Sequence, residues 1–279
     1  MRQTGEYLRR EIRRTYPEGE TTSMIRLIME HMGYDPRLPV SDPELRPGPS
    51  AVAQINEIVS EIHTNKPIQY ILGYTFFHEL KILLNEHVLI PRPETEELVY
   101  RIISETASLP LRMLDVGTGS GCIALALKHR FPEADVFGMD VSGEALKTAR
   151  LNAAHHLLEV HWLQADIGGE LPEEVRTDFD LIISNPPYVL ESQRAAMDDN
   201  VLRFEPDRAL FADRDHPLEL YEKIGEFAAR HLRPGGTLWV EINEQLGEET
   251  AKTIERSGLG EVTILRDIHE KERFIKATR

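Results

Sequence analysis

Asp115-Val116-Gly117-Thr118-Gly119-Ser120-Gly121 decides the fold. The apolar stretch Met113 to Val116 reads as a strand running into it, and Ile123 to Lys128 reads as a helix leaving it. Glycines at such a junction let the backbone turn sharply and approach a ligand closely. In an open α/β sheet that junction lies at the carboxyl ends of the strands, where ligands bind. The spacing is Gly-x-Gly-x-Gly. The dinucleotide fingerprint requires Gly-x-Gly-x-x-Gly, and residue 122 is Cys, which weakens a nicotinamide or flavin reading.

Working outward, strands and helices alternate. Asp135 to Met139 reads as a strand ending at Asp140, Ala145 to Ala154 as a helix, and Val160 to Gln164 as a strand followed by Asp166. Leu181 to Ser184 is a strand that ends in Asn185-Pro186-Pro187-Tyr188. A helix within Pro217 to Leu232, a strand from Thr237 to Ile242 and a helix from Leu246 to Ser257 follow. Val262 to Leu265 and Arg273 to Lys276 close the chain as strands. This alternation predicts a mostly parallel sheet with helices on both faces. Only a short turn joins the last two strands, so that pair is expected to be antiparallel.

The acids at the strand ends suggest a ligand. Asp140 can accept both hydroxyls of a ribose, Asp166 can meet an adenine edge, and Asp115 can reach the charged amino group of an amino-acid moiety. Together they describe a nucleoside bearing an amino acid rather than a pyrophosphate. Asn185-Pro186-Pro187-Tyr188 lies at the same rim. Its two prolines fix φ and lack N–H groups, so the carbonyls are presented rigidly. A planar NH2 group can donate to the Asn185 side-chain oxygen and the Pro186 carbonyl, while Tyr188 lies against its face. That arrangement suits methylation of a flat nitrogen, and the motif alone does not choose among adenine, guanine and glutamine.

Upstream, the first ~65 residues carry helical periodicity. Leu8, Ile12 and Tyr16 form one stripe. Thr22 or Ser23 is a candidate cap for a second helix, and Val52, Ile55, Ile58, Val59 and Ile62 share a face of a third, from about Ser50 to His63. Five prolines between residues 36 and 50 read as a turn-rich connector. Phe76 and Phe77, Ile82 to Leu84, and Val88 to Ile90 read as short strands. A helix from Thr95 to Ser104 places Leu98, Ile102 and Ile103 inward. The organisation expected is a small helical domain over 1–72, a β-hairpin linker over 73–92 and an α/β domain over 93–279.

Composition excludes several classes. The 279 residues hold 47 Asp and Glu against 32 Lys and Arg, a formal charge of −15. That disfavours a protein built mainly to grip duplex nucleic acid. Residues 1–80 account for −2 and residues 81–279 for −13. Such acidity suits a basic protein partner. Cys122 is the only cysteine, so there is no disulfide scaffold, and a reducing, cytoplasmic setting is expected. Apolar runs fall short of the ~18 residues that span a bilayer, and no apolar stretch follows the N-terminal arginines as a signal peptide would require.

The glycine loop resembles the first motif of class I S-adenosylmethionine-dependent methyltransferases. Two further segments narrow the resemblance: Lys66-Pro67-Ile68-Gln69-Tyr70-Ile71-Leu72-Gly73, and Val88-Leu89-Ile90-Pro91-Arg92-Pro93-Glu94-Thr95-Glu96. Both look like the linker signature of bacterial release factor glutamine methyltransferases, and Arg203-Phe204-Glu205-Pro206 resembles that family's segment after Asn-Pro-Pro-Tyr. A stretch holding Asp267 and Arg273 has the same look. The sibling family that methylates a ribosomal protein typically reads Pro-Arg-Ser-Pro in the linker, which favours the release-factor family here.

The resemblance implies a Rossmann-like, seven-stranded methyltransferase domain preceded by a small helical domain and a β-hairpin linker. It implies methyl transfer from S-adenosylmethionine to the glutamine of the Gly-Gly-Gln motif in peptide chain release factors. No metal, nucleic acid or membrane would be required, and the enzyme is expected to be a monomer. Carried over, Asp115, Gly117, Thr118, Gly119, Ser120, Gly121, Asp140, Asp166 and Asn185 would bind cofactor. Asn185, Pro186 and Tyr188 would be catalytic, and Asn185, Pro186, Pro187 and Tyr188 would hold substrate. Some relatives carry a tryptophan after the acid that is Asp166 here. This chain has Ile167, whose cofactor contact would be purely apolar.

Other residues carry plainer readings. Arg92 and Glu94 read equally well as a loop wall over the cofactor and as a surface ion pair. The arginines from Arg9 to Arg14 read as a solvated helix face. Cys122 reads as a small helix-packing residue, and Trp162 and Trp239 as core. His155, His156 and His161 lack the spacing of a metal site.

Overall fold

The computed structural model describes residues 1–106, 111–169, 173 and 178–279. The chain forms two compact units, Met1–Tyr74 with Asp198–Phe204, and Thr75–Met197 with Glu205–Arg279. The division falls inside the first strand of the hairpin and adds a short downstream segment to the helical unit.

The first unit comprises α1 (Arg2–Ile12), α2 (Glu18–His31), α3 (Leu38–Ser41), α4 (Pro49–Ile62) and α5 (Ile68–Leu72). Leu8, Ile12, Ile28, Met29 and Ile62 make its core. Two details depart from the periodicity. Thr22 and Ser23 sit inside α2 rather than capping it, and their hydroxyls donate to the carbonyls of Glu18 and Gly19. The helix starts earlier because Pro17 fixes φ at its N-cap and Glu18 and Glu20 favour a helix N-terminus. Val52 is exposed, so the buried stripe of α4 begins at Ile55. The N-terminal arginines are partly paired: Arg10 and Arg14 hold the buried Glu11 at 2.9 and 2.6 Å, and Arg9 pairs with Glu18.

β1 (Tyr74–Phe77) and β2 (Leu80–Leu83) form the two-stranded hairpin. Val88 to Ile90 forms no strand; Val88 and Ile90 are apolar because they are buried in a turn. Then come α6 (Pro93–Glu105), β3 (Arg112–Val116), α7 (Cys122–Arg130), β4 (Asp135–Asp140), α8 (Gly143–His156), β5 (His161–Gln164) and β6 (Phe179–Ser184). The chain continues through α9 (Asp199–Phe204), which belongs to the first unit, α10 (Asp207–Leu210), α11 (Glu219–His231), β7 (Leu232–Glu241), α12 (Gly247–Arg256), β8 (Gly260–Arg266) and β9 (Glu272–Thr278). Among the described residues, no helix is long and apolar enough to cross a membrane.

The seven-stranded sheet has the order β5-β4-β3-β6-β7-β9-β8. β9 runs antiparallel to both neighbours, and the other pairings are parallel. The order reverses between β3 and β6, which is where an open α/β sheet leaves a crevice. Leu114, Phe137, Ile182, Leu238 and Ile275 carry the core on one face, against Ile224, Phe227 and Ile254 of the flanking helices. One polar side chain ties the hairpin to the glycine loop. Asn152 of α8 is fully buried; its Oδ1 accepts from Leu83 N, and its Nδ2 donates to Leu83 O and Ser120 O. Asn152→Ala strands those backbone groups, so it should lower unfolding free energy by about 2–4 kcal/mol. Denaturant titration checks this, and a loss under about 0.5 kcal/mol would mean the tie carries no stability.

Candidate active site

The crevice opens at the carboxyl ends of β3, β4 and β6. Parallel register sets Val116 beside Ser184, and Ser184 Oγ donates to the Val116 carbonyl at 2.8 Å. The glycine loop and Asn185 therefore leave the sheet side by side. Gly117, Gly119 and Gly121 have φ of 73°, 56° and 81°, the left-handed region that a Cβ disfavours. Gly121 serves packing as well: a Cβ there would sit 2.7 Å from the Trp162 ring. Above Gly117 a Cβ would meet nothing within 4 Å, which leaves open space over the loop. Gly117 N and Thr118 N donate to the Met139 carbonyl at 2.8 and 3.0 Å, locking the loop onto β4.

Asp140 ends β4 and lines the cleft. Its Oδ2 accepts from Gly119 N at 2.9 Å and its Oδ1 from Ser142 N at 2.8 Å. Each oxygen keeps acceptor capacity for a vicinal diol. Asp166 and Ile167 line the same cleft beyond β5, with Asp166 Oδ1 accepting from Gly168 N. Ile167 is buried there and shares the main core. The left-handed loop, the open space above it, the half-satisfied carboxylate and the apolar wall at Ile167 fit S-adenosylmethionine.

Two expected contacts lie elsewhere. Asp115 does not line the cleft. It is fully buried, and its Oδ2 accepts from Thr118 Oγ1 at 2.5 Å and from Ala124 N at 3.3 Å. Burial pushes its carboxyl up to about 7 against those hydrogen bonds. Asp115 thus braces the loop from behind. Tyr188 also turns inward: its hydroxyl donates to Glu241 Oε1 at 2.8 Å, and the ring packs on the core instead of covering the cleft. Thr118 and Ser120 are buried, yet both line the cleft with Asn185, Pro186 and Pro187.

The linker supplies a wall. Pro91, Arg92 and Thr95 line the cleft, and Arg92 Nη2 pairs with the buried Glu205 at 2.6 Å. Glu205 Oε2 also accepts from Ile90 N, so the Glu205-Pro206 step holds the linker in place. Arg208 reaches the cleft and donates to Ser142 Oγ. Asp267 pairs with Arg273 at 3.1 Å in the β8–β9 turn. Cys122 is buried at the start of α7, and burial pushes its thiol up to about 12, which suits a packing role. The sequence singles out neither Glu241, a fully buried acid ending β7, nor Thr95, which enters only in the linker signature and at the start of a helix. A lone Glu closing the apolar run Leu238-Trp239-Val240 was the available signal.

The family described as "Methyltransferase small domain" matches residues 96–203. The release factor glutamine methyltransferase of Flavobacterium psychrophilum is 40% identical, covering 94% of this chain and 93% of its own. That of Bacteroides thetaiotaomicron is 36% identical over 100% of both chains. The chain belongs to the release factor glutamine methyltransferase family. As a member it is an S-adenosylmethionine-dependent methyltransferase. A crystal structure of a methyltransferase from Pyrococcus furiosus shares the fold, with a TM-score of 0.54 and 20% identity over 78% of this chain and 96% of that one.

The buried Asp115 sets a pH dependence. Its folded value, about 7, lies above the ordinary 3.8, so its contribution to stability is present below about 3.8 and lost as pH rises through about 7. Asp115→Asn should flatten that part of the stability profile of the protein without added cofactor. Unfolding midpoints across that window check it, and an unchanged slope would remove Asp115 as its source.

Proposed function

We propose that this chain transfers a methyl group from S-adenosylmethionine to the side-chain amide nitrogen (N5) of the glutamine in the Gly-Gly-Gln motif of peptide chain release factors. Similarity to enzymes of that name over nearly the whole chain carries the reading. The cleft supports it, since Asn185 and Pro186 line it beside the glycine loop.

When bound, S-adenosylmethionine supplies a methyl carbon already activated by a positive sulfur, so the protein's task is position and electrostatics. In this reading Asp140 accepts the ribose hydroxyls, Gly117 and Gly119 give the backbone room, and Asp166 and Ile167 border the adenine. Asp115 acts through the loop it braces. The substrate amide is a poor nucleophile, because its lone pair is delocalised into its own carbonyl. Asn185 Oδ1 and the Pro186 carbonyl accept its two hydrogens, which localises the pair and aims it at the methyl carbon. The nitrogen–carbon bond forms as the carbon–sulfur bond breaks, the pair goes to sulfur, and one N–H proton leaves for solvent. That proton becomes acidic as the bond forms, so no strong base is needed beforehand. Pro187 stiffens the carbonyls, and Tyr188 anchors the tetrapeptide from beneath.

The reading needs neither nucleic acid nor membrane. It places a monomeric enzyme in the cytoplasm with the release factor as its protein partner.

Labelled cofactor incubated with a release factor, the large-subunit ribosomal protein and DNA tests the substrate. Peptide mapping should put the label on the Gly-Gly-Gln glutamine, whereas label on DNA alone would sink the proposal. Asn185→Ala should lower turnover about a hundredfold or more while cofactor affinity stays within about threefold. Asp140→Ala should instead weaken cofactor binding about tenfold or more. Unchanged affinity by calorimetry would refute the ribose assignment.

A further inference from the structure

We propose that Thr95 and Glu241 are positioning residues that dictate which end of the Asn185 amide faces the substrate. The inference rests on the reading of Asn185 as the acceptor for the glutamine NH2.

Three side chains make a relay from the wall of the cleft inward. Asn185 Nδ2 donates to Thr95 Oγ1 at 2.9 Å, and Thr95 Oγ1 donates to Glu241 Oε2 at 2.7 Å. Glu241 Oε1 accepts from the Tyr188 hydroxyl at 2.8 Å. Thr95 and Glu241 are buried, at 2% and 0% exposure, so water does not substitute for these partners.

The direction of the relay follows from donor counting. An ionised carboxylate only accepts. The one proton of the Thr95 hydroxyl must therefore go to Glu241, and the Thr95 oxygen can then only accept. An amide offers NH2 at one end and oxygen at the other. Only the NH2 end satisfies Thr95, so Oδ1 is left for the cleft. If the amide turned over, Oδ1 would face an acceptor and the NH2 group would face the substrate's own NH2. Both contacts are repulsive, and the amide nitrogen would lose the acceptor that aims its lone pair.

Thr95, Tyr188 and Arg273 favour the ionised form of Glu241, and burial outweighs them. Tyr188 donates to it, and Arg273 of β9 carries positive charge towards it. Tyr221 of α11 donates to its backbone carbonyl at 2.9 Å. Opposing these, burial and the nearby Glu94 of α6 raise its carboxyl, with burial the larger cause, to about 6. Protonation lets Glu241 donate to Thr95, so Thr95 can donate in turn to Asn185 and the amide is no longer held one way round. Turnover should fall as pH drops through about 6.

Steady-state turnover on a Gly-Gly-Gln-containing release factor, with cofactor affinity measured alongside, tests the relay. Thr95→Val keeps the shape and removes the hydroxyl; kcat should fall about tenfold to a hundredfold with cofactor affinity within about threefold. Thr95→Ser restores the hydroxyl and should recover most of kcat. Glu241→Gln accepts or donates equally well; kcat should fall about tenfold, and the acid limb should vanish from the pH profile. Near-normal kcat in either Thr95→Val or Glu241→Gln overturns the relay. So does a Thr95→Ser protein as slow as Thr95→Val, or an acid limb that persists in Glu241→Gln. Asn185→Ala separates the two failures. If it is inactive while the relay variants are normal, only the relay is wrong. If it too is active, the reading of Asn185 fails with it.

Discussion

The parallel pairing of β3 with β6 governs the rest of the molecule. It places Val116 and Ser184 at one level, and the Ser184 hydroxyl closes the gap by donating to the Val116 carbonyl. From that point one chain segment turns through the glycine loop and the other through Asn185-Pro186-Pro187. A ligand held on the first is then beside the polar groups of the second. In the proposed reading, sheet order rather than any loop brings methyl donor and acceptor within reach.

Around that junction the polar residues divide into those that face the cleft and those that hold it from behind. Asp140, Asp166 and Asn185 face it. Asp115, Asn152 and Glu241 do not, and each is fully buried. Asp115 braces the loop through Thr118, Asn152 fastens the loop to the hairpin, and Glu241 anchors Thr95 and Tyr188. Buried carboxylates are costly without partners, and both acids here carry raised pKa values. Their burial at the rim of the sheet fits a positioning task better than a stabilising one.

Much of this was legible in the sequence. Alternating strands and helices gave the sheet, and the short last turn gave its antiparallel end. The loop spacing and the acid ending β4 pointed to the cofactor. What stayed hidden was direction. Sequence shows that Asp115 lies near the end of an apolar strand and that Tyr188 follows two prolines, but not which way either side chain turns. Asp115 turns into the loop because Thr118 and Ala124 offer it donors there; Tyr188 turns down because Glu241 lies beneath it. Glu241 closes an apolar strand, as many surface residues do, and only the fold shows that α6 covers it. Val88 to Ile90 misled for a related reason, since a buried turn and a short strand share the same apolar composition.

The central claim is that Asn185 presents its oxygen, held by Thr95, to the nitrogen that receives the methyl group. A crystal structure with S-adenosylhomocysteine and a Gly-Gly-Gln peptide measures this directly. The account predicts the glutamine amide nitrogen within about 3.2 Å of both Asn185 Oδ1 and the Pro186 carbonyl, with Asn185 Nδ2 still on Thr95. A glutamine nitrogen seated away from Asn185, or an Asn185 side chain that has left Thr95 to reach it, would contradict the account.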